Sequence, residues 1–281
     1  MEPLDRSEYV EQAYLFRQLN ERFEMQMPIQ ELLEQAQHEL LSTTRLPMAV
    51  SYLLTELKHT GLMAPAMVRI SHYFCAFQAF LVAEAEHDEG RFGMQTALRA
   101  LAAEADYRAR GASAQGLFFF QFELLCRNRV RYDHGLTAMS SDPQYDADWA
   151  RWILMLRSEL GLVDIADLIF MRSEGYLKIL EKAGKMDQAP PAVLFGEKEG
   201  RIAMGNRRKD PVLLFAAMQR HLDYPTVPRP KPVDRTNELI PQMQRRIERL
   251  ESRIKLMEDE RRGLDITRFY KGQLPPGITD E

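Results

Sequence analysis

The chain has 281 residues, 45% apolar and 28% charged, with a formal net charge of −4. That is the balance of a water-soluble globular protein with a substantial core, and it excludes global disorder and a protein built around a phosphate backbone. The charge is uneven: residues 228–272 hold 12 basic and 8 acidic side chains, a local +4 against −8 for the remainder.

Residues 1–189 read as consecutive helices of an all-α, multi-helix bundle. Ser7 starts a helix with Tyr9, Ala13, Phe16, Leu19 and Phe23 at helical spacing. Pro28, Pro47 and Pro65 each suit the first turn of a further helix, the third of these continuing to Gly90. A fifth helix runs from Phe92 to Arg110. In the sixth, the apolar run Leu117–Phe120, Phe122 and Leu124–Cys126 surrounds the axis, so this helix is expected at the centre of the bundle, with Tyr132-Asp133-His134 at its end and Gly135 as its stop. Asp142, Pro143 and Asp146 introduce a seventh through Trp149 and Trp152. Asp164 caps an eighth that continues to about Lys182. Short breaks favour antiparallel neighbours, and no fixed repeat period points to a solenoid.

From Pro190 the pattern changes. Residues 190–223 read as a hairpin-plus-helix extension: Val193–Phe195 and Arg201–Met204 are strand-like runs around Gly196–Gly200, and Asp210-Pro211 starts a ninth helix. Residues 224–235 form a Pro-rich spacer of polyproline II type, and 266–281 a C-terminal tail. Between them, residues 236–265 carry a heptad. Ile240, Ile247, Ile254 and Arg261 occupy a, while Met243, Leu250, Met257 and Leu264 occupy d, over roughly 37 Å of helix. In a parallel homodimer Arg246 meets Glu251 and Arg253 meets Glu258, both attractive, whereas Glu260 against Asp265 is repulsive. The expectation is a dimeric interaction or scaffold protein. Pairing with a different protein and folding back on the domain are the alternatives for this seam.

Signals of chemistry are sparse. No Gly-rich phosphate loop, zinc spacing or nucleophile elbow is present, so no catalytic residue, metal or cofactor is assigned. Glu56/His59 and Glu84/His87 have the Glu-x-x-His spacing of di-iron bundles, but His near a helix C-terminus is explained by the helix dipole. Glu123 inside the most apolar helix, with Arg127 one turn on and Glu84 elsewhere in the bundle, is the candidate buried polar site. It underlies the competing reading, a bundle enzyme or a protein that binds a small ligand or metal. Arg207–Lys209 and the coil arginines do not make the dense basic region of a zipper-type DNA binder. Cys75 and Cys126, both in apolar runs, are expected as buried reduced thiols, and with no signal peptide or membrane span in view the expected location is the cytoplasm.

Overall fold

A computed structural model describes residues 2–25, 27–87 and 92–230, together with Leu250 and Ile254. The chain divides after Pro230 into two units, and the first is helical. Its thirteen α-helices among the described residues are α1 (Arg6–Phe23), α2 (Ile29–Glu39), α3 (Leu46–Thr60), α4 (Ala64–Arg69), α5 (Ala76–Glu86), α6 (Met94–Ala109), α7 (Ala114–Asn128), α8 (Tyr132–Ser140), α9 (Ala147–Glu159), α10 (Ile165–Phe170), α11 (Glu174–Lys182), α12 (Glu197–Gly205) and α13 (Pro211–Leu222). None of these helices is long and apolar enough to cross a membrane.

The all-α bundle agrees with the sequence. α1 lies along α6, α2 and α3 pack in succession beside α1, and α5 bridges α6 to α8. α7 is central: Leu117 to Leu125 are all buried, and the helix touches α6, α8 and α13. Phe118 of α7 anchors the second half, its ring 4.9 Å from Trp152 and 5.7 Å from Trp149 of α9, and 6.2 Å from Phe195. Tilted and edge-on contacts of this kind add to the stabilisation from buried area.

Several elements differ from the sequence expectation. The predicted helix from Pro65 to Gly90 is two, α4 and α5. The chain turns at Ile70–Phe74, burying Tyr73 and Phe74, and restarts at Cys75, whose backbone N–H donates to Gln78 Oε1 at 3.3 Å. Gly135 does not stop the sixth helix. That helix ends at Arg129 in the left-handed region (φ 54), and Gly135 lies inside α8, where a Cβ would sit 2.5 Å from Leu125 Cδ2. The eighth predicted helix breaks at the fully buried Ser173 into α10 and α11.

The hairpin is absent, and its second strand is α12. Leu194 and Phe195 are extended, but their partner is the break at Ser173: both N–H groups donate to the Arg172 carbonyl (2.9 and 3.1 Å), and the Glu174 N–H donates to Phe195 (3.0 Å). Gly196–Gly200, expected as the turn, is the first turn of a helix with Glu197 and Glu199 near its N-terminus, where the helix dipole favours acids.

The first seven residues of the Pro-rich stretch have no regular secondary structure and dock on the domain as a strap. Tyr224 and Val227 are buried, Asn128 Nδ2 donates to the Pro228 carbonyl (3.1 Å), and Arg99 Nη2 to that of Arg229 (3.0 Å). Of the heptad, only Leu250 and Ile254 are described, both helical. The remaining seam and flank residues, the rest of the spacer and the tail lie outside the described residues.

The packing of α12 against the break at Ser173 depends on a missing side chain. A Cβ at Gly200 would fall 2.3 Å from Ser173 Oγ and 2.6 Å from Ser173 Cβ. Gly200→Ala is therefore expected to destabilise the domain by about 1–3 kcal/mol in denaturant unfolding, as overpacking does. An unchanged midpoint would show that α12 does not pack closely against the break at Ser173.

Candidate functional site

The deepest polar cluster is centred on Arg108 of α6, whose side chain is 2% exposed. One turn earlier on the same helix face, Glu104 Oε1 accepts from Arg108 Nη2 at 2.7 Å. Asp142, in the loop before α9, receives both terminal nitrogens, Nη1 at 3.0 Å and Nη2 in a shorter bond. Gln121 of α7 donates to Glu104 (2.8 Å) and Asp142 (3.3 Å) and accepts from the Tyr145 hydroxyl (2.8 Å). The guanidinium carbon lies 5.8 Å from the centre of the Tyr9 ring of α1.

Cys75 Sγ, Glu104 and Asp142 bring donor atoms within 4.8 Å of one another, a set that could hold a metal ion. Arg108 Nη2 already contacts all three, 3.8 Å from Cys75 Sγ. The donor set thus holds its cation in the guanidinium, and burial pushes the Cys75 thiol well above its usual range, which keeps it neutral. Burial also pushes the Glu104 carboxyl up, against the pull of Arg108. At Asp142 burial acts in the same direction, but the attraction and hydrogen bonds of Arg108 outweigh it and hold this carboxyl below its ordinary range. Asp142 is the counter-ion, and Glu104 is the second, more costly acid.

The sequence-predicted residues fall into two pairs. Arg127 Nε and Glu123 Oε1 bond directly on α7, as their spacing implies, and Glu123 Oε2 accepts from the Tyr224 hydroxyl of the strap at 2.7 Å. Glu84 is instead paired with Arg131, through its backbone N–H (3.1 Å) and its side chain. Among the described residues no hydrogen bond or ion pair joins Glu84 to Glu123 or Arg127, so the three do not share one linked site. Glu56 is bonded to Arg69 at 2.6 Å. In the basic stretch, Arg207 pairs with Asp167 and the Arg208 N–H donates to Asp164. Cys126 is exposed, against expectation, because it occupies the one solvent-facing position near the end of α7.

All six buried carboxylates among the described residues are engaged. Besides Glu84, Glu104, Glu123 and Asp142, Glu8 accepts from the Arg45 N–H (2.9 Å) and the Tyr73 hydroxyl (2.8 Å), and Glu11 from the Leu41 N–H (3.1 Å). An apolar groove of about 440 Å³ lies between α4–α5 and α8, lined by Phe74, Ala79, Phe80 and Ala83. Its rim carries Asp133 and His134, two residues of the tyrosine–aspartate–histidine run, and Arg157, whose Nε lies 3.7 Å from Asp133. Its volume is that of a small-molecule site, but its acid, base and cation line an open rim rather than a closed pocket.

The two central carboxylates act oppositely with pH. Glu104 has a folded-state value above its unfolded one, so its contribution is present below the unfolded value and lost as pH rises through the folded one. The Asp142 contribution is present above its unfolded value and lost as pH falls. An amide at position 104 keeps the acceptor oxygen and removes the titration. Glu104→Gln should therefore gain melting temperature relative to the parent as pH rises from about 4, near the ordinary glutamate value. A difference that stays constant with pH would contradict the raised carboxyl. No protein-family model, curated protein or solved structure matches this chain, so no function reaches it by resemblance.

Proposed function

We propose that this protein is a helical interaction protein, cytoplasmic on its thiol content, that self-associates through a short parallel coil in residues 236–265. The observation that carries the reading lies at Leu250 and Ile254, adjacent d and a positions of the seam. Both are helical, and they are 52% and 50% exposed. Apolar residues repeating at heptad spacing and left in water gain most by facing an identical stripe, and the Arg246–Glu251 and Arg253–Glu258 pairs select the parallel arrangement. The engaged carboxylates of the domain support the same reading, because its buried polar groups act as fasteners between helices. A second reading, a ligand-binding bundle, draws on the groove between α5 and α8. A small molecule released from the purified protein on denaturation and seen by native mass spectrometry would favour it.

The test is the solution mass of the full chain against a chain ending at Pro230, a cut that spares the docked strap. Light scattering should give a dimer for the first and a monomer for the second. Arg246→Glu with Arg253→Glu should weaken the dimer, and adding Glu251→Arg and Glu258→Arg should restore it. Equal masses for the full and shortened chains would remove the coil as the means of association.

A further inference from the structure

A separate cavity of about 190 Å³ lies between α9 and the chain on either side of α11. Two of the residues that line it, Trp152 and Arg172, carry hydrogen-bond donors without an oxygen acceptor among the described residues. Trp152 is 2% exposed, and Nε1, the one polar atom of its side chain, has no partner there. Arg172 has no described carboxylate within ion-pair distance, and its guanidinium meets only the Met155 thioether, a weak acceptor, at 3.9 Å. Partial burial pushes the Arg172 value down, and the attraction of Asp148 offsets this only in part. Asp148 and Arg151, also at the cavity, are paired with each other. Met155, Pro191 and Ala192 make the remaining wall apolar.

An indole N–H, a guanidinium and an apolar wall together call for an acceptor with two oxygens and a hydrocarbon body. We propose that this cavity binds a small monocarboxylate, one oxygen accepting from Trp152 Nε1 and the other from Arg172. The volume equals about six waters at ~30 Å³ each, which limits the ligand to a short-chain or single-ring acid. The site shares no residue with the Arg108 cluster or the heptad and stands independently of the self-association reading.

The protein has two tryptophans, 149 and 152, so a nitrogen–proton correlation spectrum of the full chain contains two indole signals, assignable with Trp149→Phe. Benzoate is the probe, with benzamide as its uncharged counterpart and chloride at matched ionic strength. The Trp152 signal should shift downfield and saturate with benzoate at millimolar concentration, and shift little with benzamide or chloride. Arg172→Gln should weaken the benzoate response at least tenfold, and Arg172→Lys should retain part of it. Because Arg172 is in no ion pair among the described residues, both variants should melt near the parent temperature. A Trp152 signal that ignores benzoate, follows chloride equally, or responds unchanged in Arg172→Gln would overturn the assignment and leave a water-filled or adventitious anion site.

Discussion

One guanidinium orders the centre of this domain. Arg108 projects from α6 into a region without solvent, where an isolated charge is costly, and it is tolerated because Asp142 and Glu104 meet it directly. Those contacts reach the loop before α9, the residue that starts α5, Gln121 on α7 and the Tyr9 ring on α1. Apolar burial supplies most of the driving force for a helical bundle, but it is nearly indifferent to helix register. A buried cation whose acceptors come from separate segments is not indifferent, because each segment must arrive with its acceptor correctly aimed.

The remaining polar interior works in the same way at lower cost. Glu8 and Glu11 of α1 take the backbone N–H groups that lead into α3, and Glu84 takes that of Arg131 at the start of α8. Glu123 receives Tyr224 and so fastens the strap across α7. Each carboxylate is itself buried and gains an N–H or hydroxyl donor from another segment of the chain. The buried carboxylates of the described residues are therefore committed to contacts within the fold.

Legibility in the sequence follows locality. Asp146, Asp164 and Asp210 announce helix starts because a cap bonds within two or three residues, and their carboxylates do accept those N–H groups. Glu123–Arg127 is readable because one helical turn separates the two. The Arg108–Asp142 pair spans 34 residues, and no local pattern distinguishes Asp142 from the cap that its position before α9 suggests. The breaks at Ile70–Phe74 and Ser173 are hidden inside runs with helical periodicity, since the interactions that hold them come from distant chain, such as Phe195. The docking of the strap escapes a sequence reading because prolines exclude a helix there and say nothing of what the segment packs against. The orphan donors Trp152 and Arg172 leave no mark in the sequence, because a missing partner is a property of three-dimensional packing.

The central claim is that Arg108 and Asp142 act as one structural unit. A double-mutant cycle with Arg108→Met, Asp142→Leu and the double variant, followed by denaturant unfolding, measures their coupling most directly. Each single change strands a buried charge and should cost about 3–5 kcal/mol, while the double variant should recover much of that loss. Additive losses in the double variant would show that the two charges do not depend on each other, and that the buried guanidinium does not order the centre of the domain.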